Sequence, residues 1–169
     1  MRSVSKSKKI LFVILQILLF GLLIFLDQIT KYAIRSSFDL NGGIPLIKGV
    51  LEFKYIENTG MAFSMMEGMT WFFYIVTPVI VMGCVYLYVK VPFESRHFPL
   101  KFCLVVLVAG AIGNYIDRIY KKSVTDFIYF SLIHFPVFNV ADIYVVCSVI
   151  AIVLLMMFYY KEDELQGIM

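Results

Sequence analysis

The sequence predicts an integral membrane protein, mainly α, with a four-transmembrane-helix bundle and a small extracytoplasmic β-sheet cradle between helices one and two. Three observations carry that prediction. Of 169 residues, 61% are hydrophobic and 16% charged, against about 45–50% and about 25% in a soluble domain. The apolar residues gather into four runs of bilayer-spanning size, for which about 17–25 residues are the working range. The polar exceptions collect at the ends of those runs. The length suits a single membrane-embedded domain over residues 1–169.

The first run, residues 10–26, is interrupted only by Gln16 and Gly21. A basic stretch with Lys6, Lys8 and Lys9 precedes it, as in a signal peptide. The apolar run exceeds the usual h-region and no A-x-A site follows, so it reads as a retained helix. The second run, 71–89, is uncharged and contains Pro78. The third, 102–116, extends to 119 if Asp117 and Arg118 reach the interface. The fourth, 143–160, carries no charge.

Orientation rests on Lys and Arg. The 15 of them divide almost evenly between the two sides, but Arg2, Lys6, Lys8 and Lys9 abut the first span, which usually dominates. Lys90, Arg96 and Lys101 crowd the short second loop. Both termini are therefore expected in the cytoplasm. Trp71 to Tyr74 mark one interface and Tyr159 with Tyr160 the other.

The outer segments are then 27–70 and 117–138. In the first, Leu51, Phe53 and Tyr55 alternate with Glu52, Lys54 and Ile56, the period-2 pattern of a half-buried strand. Residues 44–47 make a weaker strand, and Asn41-Gly42-Gly43 is a turn signal.

Composition also excludes classes. A net charge of +3, scattered along the chain, gives no nucleic-acid footprint. Cys84, Cys103 and Cys147 lie inside apolar runs without a CxxC pair and read as small hydrophobes. His97 and His134 stand in different loops with no HExxH. No metal and no cofactor is expected.

Asp27 falls at the outer end of helix one and Asn58 ahead of helix two. Asn114, Asp117 and Arg118 close helix three, Asp126 lies in the loop after it, and Asn139 with Asp142 opens helix four. In an up-down bundle these positions share one mouth, and the opposite side has no such set. Spacings of three or four place Asp27 with Lys31, Asn114 with Asp117 and Arg118, and Asn139 with Asp142. Taken singly each has a plain explanation: Asn139 or Asp142 as an N-cap, Lys31 snorkelling, Asp117 and Arg118 as an interface anchor. As a set near hydrocarbon, ionisable groups point to function.

The chemistry open to the set is limited. The cysteines lie within the spans, away from this mouth. Ser36, Ser37, Ser64, Ser123 and Ser131 have no partner beyond Lys31 or Lys122, so a Ser-Lys dyad is a weakly signalled alternative. An aspartate pair is favoured: like-charge repulsion leaves one proton shared by two carboxylates, giving a base and an acid in one site.

Five stretches carry a family likeness: Asp27-Gln28-Ile29-Thr30-Lys31, Asn58-Thr59-Gly60-Met61-Ala62-Phe63, Gly113-Asn114-Tyr115-Ile116-Asp117-Arg118, Val124-Thr125-Asp126-Phe127 and Phe138-Asn139-Val140-Ala141-Asp142. With four spans and in this order, the chain resembles the lipoprotein signal peptidases, or signal peptidase II, of bacterial membranes. The resemblance implies that Asp126 and Asp142 are a catalytic dyad. It implies that Asn58, Asn114, Arg118 and Asn139 line or brace the site, with Asp27, Lys31 and Asp117 supporting it. It implies a small outer sheet cradle and a bacterial inner-membrane location. The implied partners are membrane lipid and a prolipoprotein with a diacylglyceryl cysteine, cut on the amino side of that cysteine. A monomer is expected. Family members commonly carry Ser where this chain has Ile143, so a local hydroxyl is missing.

Two readings from other classes compete. A small proton-coupled transporter places binding acids near the bilayer midplane, whereas these acids stand at span ends. A structural membrane protein leaves Asp126 as an ordinary surface residue.

Overall fold

In the computed structural model, which describes residues 5–60 and 70–164, four helices dominate. They are α1 (Lys6–Ser37), α2 (Thr70–Lys90), α3 (Phe98–Lys121) and α4 (Val140–Leu154), the last running into a π-helical turn, Leu155–Tyr159. All four spans are long and apolar enough to cross a membrane. Their side chains show why: Ile17, Leu18, Met82, Val89 and Phe158 are each more than 60% exposed on the outside of the bundle. Such an inside-out surface is stable only in lipid, where apolar exposure costs nothing.

The first helix differs from expectation. It runs past Asp27 to Ser37, so residues 27–37 are helix and not part of an outer connecting segment. The reason is local. Lys31 lies one turn beyond Asp27 and 2.9 Å from its carboxylate, so the charges that resemble a span end neutralise one another inside the fold. At about 1.5 Å per residue, 32 residues rise about 48 Å, beyond a hydrocarbon core of about 30 Å.

Two short strands follow, β1 (Gly43–Ile47) and β2 (Leu51–Asn58), where the alternation and turn signals pointed. A third, β3 (Val124–Tyr129), comes from the segment between α3 and α4. The sheet is antiparallel in the order β1-β2-β3. Asp126 therefore stands in a strand, not in a loop. That strand escaped sequence reading because Val124 to Phe127 are all buried; with both faces covered there is no alternation to see. Its far edge is closed by Phe138, whose N–H donates to the Ile128 carbonyl at 3.0 Å.

The helices meet closely at α3 and α4. A side chain at Gly110 would stand 2.6 Å from the Ala141 carbonyl, and one at Gly113 would stand 2.6 Å from Asp27 Oδ2. Only glycine lets α1 and α4 approach α3 there. At the other end of the bundle Cys84, Val91, Leu100, Leu104 and Tyr160 form a buried apolar cluster. Pro78 sits within α2, as membrane helices tolerate.

Candidate active site

At the sheet end of the bundle the polar side chains named above come together, with one hydrogen-bond network running through most of them. Asn139 is the N-cap of α4. Its Oδ1 accepts the Asp142 N–H at 3.1 Å, while Asp142 Oδ2 accepts the Asn139 N–H at 3.0 Å. This reciprocal capping box satisfies two of the free donors at the helix start. Because Asn139 Oδ1 is an acceptor, its amide nitrogen must donate, and it does so to Asp126 Oδ1 at 2.7 Å and Asn114 Oδ1 at 3.0 Å.

Asn114 is fixed by the same logic. Its Oδ1 also receives the Lys31 ammonium at 2.9 Å, so its nitrogen faces Asp142 Oδ1 at 2.7 Å. Asn58, at the end of β2, donates to Asp126 Oδ2 at 2.8 Å and accepts the Gly60 N–H at 2.9 Å. The two acids are thus bridged by Asn139 and held on either side by Asn58 and Asn114. Asp126 is 3% exposed. Burial, and then the charge of Asp142, push its carboxyl up to about 7 from the usual carboxylate range.

Asp27 and Lys31 are completely buried. Asp27 Oδ1 accepts the Ala141 N–H at 3.1 Å, and Gln28 reaches both Asp27 Oδ2 and the Gly113 carbonyl. Asp117 does not face the pair. Its carboxylate takes the Thr125 N–H at 3.0 Å and is surrounded by Lys31 at 3.6 Å, Lys121 at 3.5 Å and Arg35 at 4.0 Å.

Arg118 makes no hydrogen bond to Asn114 or Asp117 among the described residues, despite lying on the same helix turn. Its guanidinium lies over the Phe73 ring at 3.9 Å, and Nη2 donates to the Gly60 carbonyl at 3.3 Å. Tyr74 secures its backbone by donating to the Arg118 carbonyl at 2.8 Å. Asp142, Asp126 and Asp117 all act on its charge. Asn114, by contrast, is engaged on both amide atoms with Lys31, Asn139 and Asp142, so it braces the acids and is not a free grip for substrate. Met61, Ala62, Phe63 and Ser64 lie outside the described residues, as does Arg2.

The structure adds residues that motif reading passed over. Glu57 on β2 receives Tyr55, Ser123 and Thr125 and stands 3.7 Å from Lys121. Arg35 donates to Thr125 Oγ1 at 3.1 Å. These contacts lie on the opposite face of the strands from Asn58 and Asp126 and fasten the sheet to α1 and α3. Lys121 had a signal, four residues after Asp117. Arg35 and Glu57 had none.

Fold and site together define a polytopic membrane protein with an acid-containing centre at one mouth of its bundle. The family model for signal peptidase (SPase) II matches residues 19–158. The lipoprotein signal peptidase of Halalkalibacterium halodurans is 41% identical over 71% of this chain and 77% of its own. That of Streptococcus pyogenes is 34% identical over 93% and 97%. Two solved structures of a bacterial membrane enzyme superpose with TM-scores of 0.78 and 0.76, each at 30% identity, over 87% and 86% of this chain and 92% and 94% of theirs. The chain belongs to the signal peptidase II family: it is a peptidase, a multi-pass hydrolase of the bacterial inner membrane.

Proposed function

We propose that this peptidase cleaves diacylglyceryl-modified prolipoproteins on the amino side of the lipidated cysteine, by an aspartic mechanism in which Asp126 and Asp142 form the dyad. The observation that carries the reading is the bridging of these two acids by Asn139, with every carboxylate oxygen held by an N–H donor. An acid raised to about 7 beside a second carboxylate gives a pair that holds one proton near neutral pH, a property of the pair.

In this reading the ionised member of the pair takes a proton from water as the water oxygen attacks the scissile carbonyl carbon. The protonated member donates its proton to the carbonyl oxygen, giving a neutral tetrahedral diol. On collapse the C–N bond breaks, one diol proton returns to the carboxylate that gave its proton, and the proton taken from water passes to the leaving cysteine nitrogen. Arg118, a rigid forked donor on the Phe73 ring, directs its donors towards peptide carbonyls. The substrate is held by its own apolar segment and acyl chains, so it meets the site from the membrane.

The test is turnover of a lipidated propeptide by purified protein. Asp126→Asn and Asp142→Asn should each lose about 10²–10⁴-fold, and the double variant should lose little more than either, since the two act as a unit. Substrate binding should persist. A single variant keeping more than about a tenth of turnover, well above that expected loss, removes the residue from the dyad. We further propose that both termini face the cytoplasm, with the site on the outer face. Labelling of Ser5→Cys by an impermeant reagent from outside intact cells, on a background without Cys84, Cys103 and Cys147, overturns that orientation.

A further inference from the structure

Two lines of contacts leave the Lys31 ammonium and end one residue short of each acid. On one side Lys31 Nζ is 2.9 Å from Asp27 Oδ2, and the other oxygen of Asp27 accepts the N–H of Ala141 at 3.1 Å. Ala141 immediately precedes Asp142. On the other side Nζ is 3.6 Å from Asp117 Oδ2, an oxygen that accepts the N–H of Thr125 at 3.0 Å. Thr125 immediately precedes Asp126. A third direction from the same nitrogen reaches Asn114 Oδ1 at 2.9 Å, and the Asn114 nitrogen meets Asp142 Oδ1 at 2.7 Å.

An ammonium has three N–H bonds spread in space and no acceptor. Here a single one, completely buried, is the meeting point of α1, of the α3 residues that reach β3, and of the carboxylate that reaches α4. We propose that Lys31 is a positioning residue that sets the spacing of the Asp126 and Asp142 carboxylates, acting through Asp117 on β3 and through Asp27 on the first turn of α4. The inference rests on the dyad reading above.

Spacing matters for two physical reasons. Repulsion between two carboxylates falls with their separation, so the distance governs how far apart the two apparent pKa values of the pair lie. Positioning also enters the rate directly, since a displacement of about 1 Å costs about 10²-fold. Among the described residues, the charged and titratable groups around the pair include Asp27, Lys31 and Arg35 on α1, Tyr55 and Glu57 on β2, Tyr74 on α2, Asp117, Arg118 and Lys121 on α3, and Tyr144 on α4. Among them, Lys31 alone connects to the backbone beside both acids.

The decisive variant is Lys31→Arg in the full chain, assayed with a lipidated propeptide across pH. It keeps the charge, but a planar fork cannot point in an ammonium's three directions. Turnover should fall about 10²-fold with KM little changed, and the two limbs of the pH profile should move relative to each other. Normal turnover with an unmoved profile overturns the proposal and leaves Lys31 as a counter-charge only. Should Lys31→Arg not fold, the double variant Asp27→Asn with Lys31→Met removes one acid and one cation together, and the substituted amide still offers an oxygen to the Ala141 N–H. It should show the same displaced limbs; a normal profile there also overturns the proposal. Failure of the dyad reading looks different, because then Asp126→Asn or Asp142→Asn stays active. Inactive aspartate variants beside a normal Lys31→Arg sink the positioning role alone.

Discussion

Two lysines are buried in this bundle, one at each end, and they are held in opposite ways. Lys31, at the sheet end, is surrounded by oxygens of Asp27, Asn114 and Asp117. Lys101, near the start of α3, is 2% exposed and donates to one carbonyl, that of Tyr88, at 2.5 Å. Its charge otherwise meets the rings of Tyr88 and Phe93 at 4.4 and 5.3 Å. Neighbouring groups are held by rings as well. Arg96 lies over Tyr159 at 4.1 Å, and His97 stacks on Tyr160 at 5.7 Å with its Nδ1 left without a partner among the described residues. Ring faces accept a cation over a range of positions, whereas carboxylate and amide oxygens fix one. The two buried lysines thus differ, one fixed by directed contacts and the other resting mainly on rings, although at that far end Arg96 also makes a directed pair with Glu164 at 2.8 and 3.1 Å.

The largest contrast should appear in stability. Lys31→Met leaves Asp27 and Asp117 buried without that ammonium between them, and breaking a buried pair in this way costs about 3–5 kcal/mol. Lys101→Met keeps volume and loses one carbonyl contact and two ring contacts, so it should cost less, about 1–2 kcal/mol. Thermal unfolding of both in one detergent decides this, and equal losses would mean that ring faces hold a cation as firmly as carboxylates do.

Glycines sharpen the comparison at the next scale. Gly113→Ala forces a methyl against Asp27 Oδ2 and should destabilise by about 1–3 kcal/mol. Gly83→Ala, with nothing within 4 Å of the new carbon, should gain up to about 1 kcal/mol of helix propensity. Shifts of the unfolding midpoint in opposite directions are the expected result.

The pH dependence separates the ends further. Asp126 is raised to about 7 in the fold, above an unfolded value of about 3.9. The folded state therefore binds more protons between those values, so stability falls as pH rises from about 4 to about 7 and levels off beyond. Asp126→Asn should abolish that part of the slope, read as a smaller difference in midpoint between pH 5 and pH 8. An unchanged slope would assign it to other groups. The smallest effect is expected at the far end, where Glu164→Gln weakens a contact to Arg96 at 2.8 Å and should leave turnover unaltered, as measured with the same propeptide.

How much of this was legible depends on where a residue sits against its background. Asp27, Lys31, Asn114, Asp117, Asn139 and Asp142 border apolar runs, where any polar residue stands out. Arg35, Glu57 and Thr125 lie in polar surroundings, where nothing distinguishes a buried tie from a surface group. Helical spacing placed Asn114, Asp117 and Arg118 together, yet Arg118 swings to Phe73 and Gly60, because a long side chain chooses its partner by tertiary contact. Local pattern gave β1 and β2; β3 needed the knowledge that α3 delivers it against β2.

That delivery has a consequence for how the protein is made. The strands β1 and β2 are adjacent in the chain, but β3 arrives only after α2 and α3 have been synthesised, and Asp142 only with α4. Closing so long a loop is slow compared with forming the hairpin. The two acids thus belong to the last third of the nascent chain, and Asn139, which bridges them, lies between the last strand and the last helix. A chain that has not yet inserted α4 lacks Asp142. If the two acids form the dyad as proposed, peptidase activity waits for the last span to insert.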